Sequence, residues 1–92
     1  MIYHGVATLI VGEQLIEVTA DLRSFGPSDD LHWDGILHDV PTQLVYAMHD
    51  SDDRRLRLPD GQERPIWPRD IPHESEEGFT SLPISGDRRP PF

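Results

Sequence analysis

The chain has 92 residues, 17 of them acidic and 8 basic, giving a formal net charge of −9. This balance argues against a nucleic-acid partner, because binding phosphate requires clustered positive charge. With no cysteine, disulfides, thiolate metal sites and a Cys nucleophile are excluded. No apolar run approaches the ~20 residues that a membrane-spanning helix needs.

The length fits a single domain over residues 1–92 with a modest core. All eight basic residues are Arg, which reads as coding bias from a GC-rich genome. The opening Met1-Ile2-Tyr3-His4-Gly5 lacks the charged start and apolar stretch of a signal peptide, so a cytoplasmic location is expected. The acidic surface favours solubility and leaves a basic partner open. Nine Pro and seven Gly crowd toward the last third, which is expected to be irregular.

Residues 3–11 are rich in β-branched and apolar side chains and predict a strand. Gly12-Glu13 suits a two-residue type II′ turn. Residues 15–23 then alternate, with Ile16, Val18, Ala20 and Leu22 on one face and Glu17, Thr19, Asp21 and Arg23 on the other. That is the pattern of a half-buried antiparallel strand. Ser24 to Asp30 contains Gly26-Pro27 and Asp29-Asp30 and reads as a loop.

The stretch Leu31 to Val40 follows, a strand at roughly 31–38 about which both flanking hairpins are organised. Trp33, Gly35 and Leu37 share one face; His32, Asp34, Ile36, His38 and Val40 share the other. Trp33 is expected to anchor the core. Gly35 beside it marks a bulge, a barrel corner or a close approach. Asp39 or Thr42 then caps a short helix, with Pro41 in its first turn. Val40, Leu44, Ala47 and Met48 form its apolar face.

Asp50 to Asp53 ends that helix. Arg55 to Leu58 resumes as a strand, and Pro59-Asp60-Gly61-Gln62 is a hairpin turn. Glu63 to Trp67 returns, with Pro65 and Pro68 demoting it to an edge. Residues 68–77 form an acidic, proline-rich loop. Phe79 to Ile84 is a last strand, interrupted at Pro83, and residues 88–92 form a tail. The fold class is therefore mainly β: a small antiparallel barrel or sandwich of five to six strands with one short helix, an arrangement that protects strand edges.

Several positions line up in order with a known family. They are Tyr3, Gly5, Ala7 and Leu9 at the start, then Trp33, Gly35 and Leu37. Leu56, Arg57, Pro59 and Gly61 follow in the second hairpin, and Gly86, Pro90, Pro91 and Phe92 at the end. This ordered set resembles the small bacterial domain of unknown function 4873. Two segments depart from the family pattern: the loop Gly26-Pro27-Ser28-Asp29-Asp30, where the family has a Pro-Ile-Asp-Gly-like turn, and Glu63 to Glu77, which is longer here. Family members occur alone or joined to flavin-dependent monooxygenase-like domains. The resemblance thus implies a fold and a functional neighbourhood, and no catalytic residue.

His32, Asp34 and His38 carry metal-ligating types on one strand face. Yet six residues separate the histidines, roughly 20 Å at ~3.3 Å per residue, so no metal is expected. Asp50, Asp52 and Asp53 open like a calcium loop, but Arg55 stands where that loop needs Gly. There is no Gly-x-Ser-x-Gly elbow and no glycine-rich phosphate loop, so no cofactor is expected. Trp33, Tyr46, Trp67, Phe79 and Phe92 are the candidate ligand-binding residues of a small barrel, with core packing as their alternative use. Phe92 is expected either to tuck back against the sheet or the helix or to dock on a partner.

Three functions remain open. The first is a non-catalytic accessory or small-molecule-binding module, acting with a small apolar ligand or a partner enzyme of the oxidative, flavin monooxygenase type. The second is a barrel enzyme of the cyclase or isomerase type, working through a shaped apolar pocket with His32, Asp34, Tyr3 or Tyr46. The third is an acidic inhibitor or immunity-type protein that covers a basic partner. A homodimer is also possible, covering Ile36 and Ile10 on an outer face.

Overall fold

In the computed structural model, residues 2–69, 78–86 and 89–92 are described. Six strands and one helix occur among them: β1 Ile2–Val11, β2 Gln14–Phe25, β3 His32–Pro41, α1 Thr42–Asp50, β4 Arg54–Arg57, β5 Glu63–Pro68 and β6 Phe79–Gly86. The strands close into an antiparallel barrel in the order β1-β2-β3-β6-β5-β4. Closure gives each strand a neighbour on both sides, which is how so few strands limit edge-to-edge association.

The period-2 pattern decides which side chains enter the barrel. Ala7, Leu9 and Val11 of β1 and Val18, Ala20 and Leu22 of β2 point inward and are buried. Leu37, Leu56, Ile66, Leu82 and Ile84 complete an aliphatic interior around Trp33. The first hairpin turns at Gly12 (φ 60°), with Val11 opposite Gln14, and glycine accepts this positive φ without a Cβ clash. Gly35 lies where β2 presses on β3: a Cβ there would overlap the Asp21 carbonyl oxygen. This is the close approach expected at that position.

Three expectations about β3 and its surroundings need correction. Val40 is buried, although strict alternation puts it outside with His38. A bulge between Leu37 and Val40, with Asp39 at φ 60°, inserts an extra residue and reverses the phase of the strand. Neither Asp39 nor Thr42 caps α1: Pro41 is the N-cap, and the Thr42 N–H donates instead to the Gly78 carbonyl at 2.9 Å. Ile10 is buried, with Leu15 and Arg55 as its cross-strand neighbours.

Two proline expectations also change. Glu63–Pro68 is no edge strand, since it pairs with β4 over residues 63–65 and with β6 over 66–68. Each half is paired on one flank only, which leaves room for Pro65 and Pro68. Pro83 does not interrupt β6; it lies in register with Ile36, and its carbonyl accepts the Arg69 N–H at 2.9 Å. Most of the expected acidic loop, residues 70–77, lies outside the described residues, as does Arg88 of the tail.

Helix α1 covers one end of the barrel with Leu44, Val45 and Met48. Its last turn is held by Arg54, which donates to the Met48 carbonyl at 3.0 Å, and the following loop by the Gly12 N–H, which donates to the Asp53 carbonyl at 2.9 Å. The opposite end is closed by the tail. The Phe92 ring meets Trp33 edge-on at a centroid distance of 6.2 Å and Tyr3 at 6.3 Å. Gly86 makes room beneath, because a Cβ there would fall inside the Trp33 indole.

Candidate functional site

Of the five candidate ligand-binding aromatics, Trp33 is buried in the core and Phe92, partly buried, packs against it. Tyr46, Trp67 and Phe79 stay 42–52% exposed on the outside. They lie outside the barrel interior, which is occupied by buried aliphatic side chains and Trp33. Two grooves lie on the outside.

The first groove, of about 600 Å3, lies at the tail end. Phe25, Leu31 and Trp67 give it apolar walls, Asp29, Asp30 and Arg89 a charged rim with one more acidic than basic group, and Trp33 also lines it. His32 stacks on Phe25 with centroids 5.8 Å apart, and its Nε2 lies 3.5 Å from an Asp30 oxygen.

The second groove, of about 460 Å3, crosses the outside of the barrel at β1, β2, β3 and β6, where Ile2, Ile36 and Pro83 line it together with Leu22 and Gly35. At its margin sits Asp34, a carboxylate only 10% exposed. Arg23 Nε donates to one of its oxygens at 2.9 Å, and Arg69 donates an N–H to the other at 3.1 Å. A buried carboxylate needs such charge-assisted bonds. The hydrogen bond to Asp34, reinforced by its charge, raises the Arg23 pKa further above its ordinary value.

Beside this groove runs a polar line across four strands. Asp21 accepts from His4 on one oxygen and meets His38 Nε2 at 2.7 Å on the other, and His38 Nδ1 lies 3.2 Å from Ser81 Oγ. The hydrogen bonds from His4, then His38, hold the Asp21 carboxyl below its ordinary value of 3.8. Ser81, His38 and Asp21 stand in the order of a hydrolytic triad. Neither of the two grooves is lined by Ser81 or His38.

The candidate acid–base residues do not converge. The Tyr3 hydroxyl donates to the Val6 carbonyl at 2.6 Å, His32 faces Asp30, Asp34 is held by two arginines, and Tyr46 lies on α1. His32 and His38 serve different carboxylates, Asp30 and Asp21. Among the described residues no group of three His, Asp or Glu side chains has the geometry of a metal site.

Sequence reasoning missed His4, Asp21, Arg23, Arg69 and Ser81 as neighbours. One signal was at hand: a two-residue turn at Gly12-Glu13 pairs Val11 with Gln14, and the same register places His4 opposite Asp21. The others depend on pairings of β3 with β2 and β6, which no local pattern announces.

Residues that carry the family resemblance gather at the tail end. Tyr3 lies over Gly5, Trp33 against Gly86, and Phe92 against Tyr3 and Trp33, with Pro59 and Pro91 in a shallow depression beside Phe92. In comparisons with known proteins, no family model, curated protein or solved structure matches the chain.

Proposed function

We propose that the chain is a non-catalytic β-barrel module that binds through its outer surface, an accessory to an oxidative enzyme of the flavin-dependent monooxygenase type. The observation that carries the binding reading is the filled interior: aliphatic side chains occupy the space a cyclase or isomerase would use for substrate. The dispersal of Tyr3, His32, Asp34 and Tyr46 over different partners supports it too, since general acid–base work needs groups within reach of one substrate. The accessory role rests on the resemblance to domain of unknown function 4873.

The test is native mass spectrometry of the chain alone and mixed with a flavin-dependent monooxygenase from the same genome, with the oxygenation rate followed in parallel. A stoichiometric complex and a changed rate are expected. Turnover of a substrate by the chain alone, abolished by replacing His38 or Ser81, would overturn the non-catalytic reading.

The tail-end groove favours a second reading, the cover for a basic partner. Asp29 and Asp30 stand beside exposed Phe25, Leu31 and Trp67, so a cationic side chain would meet both carboxylate and aromatic faces. On that reading, Asp29→Asn with Asp30→Asn slows association with the basic partner and flattens its salt dependence.

A further inference from the structure

We infer that two copies of this chain pair edge to edge through the first half of β1, antiparallel about His4, to make one sheet that runs through both barrels. β1 has β2 as a neighbour along its whole length but β4 only over Thr8, Leu9, Ile10 and Val11. Among the described residues no strand pairs with residues 2–7 on that second flank. The ladder stops for a local reason. Continued by two positions, the Thr8–Arg57 register would set Val6 opposite Pro59, which has no N–H to give. The Val6 carbonyl is taken instead by the Tyr3 hydroxyl at 2.6 Å.

The direction of the free backbone groups follows from the hairpin. Around its two-residue turn, Val11 and Gln14 are the hydrogen-bonded pair, so the alternate residues Leu9, Ala7, Gly5 and Tyr3 bond to β2. Ile2, His4 and Val6 turn their N–H and C=O groups to the open flank. The Gly12 N–H, in the same phase, reaches the Asp53 carbonyl just before β4. An open edge specifies its own occupant, because an extended strand is what matches a row of backbone donors and acceptors.

The sequence of the edge selects a second copy. Pairing about a two-fold axis sets residue i against j and j against i. Centred on His4, it places Ile2, 83% exposed, opposite Val6, 48% exposed, and Tyr3 opposite Gly5. Apolar meets apolar on the outer face, and large meets small on the other. β1 contains no Asp, Glu, Lys or Arg, in a chain of net charge −9, so the copies meet along strands that bear no formal charge. Edges that stay single are commonly guarded by charge. β2, which pairs with β3 only from Thr19 onward, carries Glu17 on its own half-paired flank.

The pairing does not depend on the module reading, and the two fail separately. The experiment uses the full chain. A short edge interface gives a weak complex, so a reversible dimer is expected in sedimentation at about 1 mM chain. In amide exchange, Tyr3, Gly5 and Ala7 are expected to be slow at every concentration, and His4 and Val6 slow only in the dimer. Val6→Lys changes an exposed side chain and sets a charge against the partner strand; it is expected to weaken the dimer at least about tenfold. The chain has no cysteine, so His4→Cys supplies a single thiol. A hydrogen-bonded antiparallel pair lies about 5.5 Å apart between Cα atoms, within disulfide range. Mild oxidation is therefore expected to link two copies of His4→Cys faster than two copies of Glu17→Cys.

A monomer at that concentration, protection of His4 and Val6 already in the monomer, equal cross-linking of the two thiols, or undiminished association of folded Val6→Lys would each overturn the pairing. Protection that appears only when a flavin-dependent monooxygenase is added would assign the edge to that enzyme, which keeps the module reading and overturns this one.

Discussion

The two ends of the barrel are closed by different means. At one end a continuous helix lays down Leu44, Val45 and Met48, three aliphatic side chains from adjacent turns. At the other, Tyr3, Trp33, Gly86 and Phe92 come from four separated places in the chain and interlock around one indole. The helical lid comes from one continuous segment, whereas the aromatic plug joins four segments distant in sequence, an arrangement in which contacts are expected to be coupled. A small domain thus concentrates much of its sensitivity at the plug, next to the groove where its exposed aromatics lie.

The largest expected effect is at the centre of that plug. Trp33 is 1% exposed, and Trp33→Ala is expected to cost about 3–5 kcal/mol, enough to unfold a domain of this size in a thermal or urea melt. Gly86→Ala approaches the same outcome from the opposite direction, since its Cβ would fall within the indole, and overpacking of that kind costs about 1–3 kcal/mol or more. A melt of Trp33→Ala that matched the parent would break the contrast between the ends.

At the helical end, Met48 is fully buried, and Met48→Ala is expected to cost about 2–5 kcal/mol, measured by urea denaturation. Removing residues 90–92 is expected to cost up to about 1.5–3 kcal/mol, the value for full burial of one Phe side chain, since Phe92 is partly buried, and to lower Tm by a few degrees. The two ends are then separated by a double-mutant cycle. Met48→Ala combined with the tail deletion is expected to be additive within about 0.5 kcal/mol, whereas Tyr3→Ala combined with it is expected not to be. Additivity in both pairs would show that the plug is no more coupled than the lid.

The smallest effect belongs to the barrel wall between the ends. The Asp21 carboxyl is held below 3.8 by His4 and His38. A carboxylate with a depressed folded pKa stabilises the fold above its unfolded value and loses that contribution as pH falls through its folded value. Stability is therefore expected to fall more steeply below about pH 3.8 in the parent than in Asp21→Asn, with no difference in slope from Asp21 between pH 5 and 7. Parallel melting curves at pH 2–4 would remove Asp21 from the account of acid unfolding.

How legible this was varies with the range of the interaction. Hairpin β1–β2 could be read through most of its length, because alternation from Ile16 to Leu22 and a positive-φ turn at Gly12 are local facts. But β2 runs on through Ser24 and Phe25, where the local pattern reads as a loop, because both pair with β3. The helix face could be read through Leu44 and Met48 but its cap could not, since the Thr42 N–H is satisfied by Gly78, distant in the chain. Trp33 was legible from its place in an alternating strand beside Gly35, and the tucked Phe92 from the stiff Pro90-Pro91 that precedes it. The phase reversal at Asp39 was hidden, because an Asp in left-handed backbone leaves no mark in a strand that already mixes polar and apolar residues.

The candidate site followed the same division. Asp34 was visible as a polar residue in a strand, but its partners Arg23 and Arg69 lie 11 and 35 residues away. Tyr46, Trp67 and Phe79 carried the composition of a ligand chamber and were placed outside it, because the aliphatic positions of the six strands were enough to fill so narrow a barrel.

By itself, the sequence determined that the chain is mainly β, where its turns fall, and which side chains alternate toward a core; each of these depends on residues a few positions apart. Only the tertiary structure decided that the sheet closes, that the indole of Trp33 rests on Gly86, and that Asp34 joins two arginines over an apolar groove. Those outcomes depend on register between strands distant in sequence. A shift of one residue turns every side chain to the opposite face, so they are set by the packing of the whole barrel rather than by any local preference.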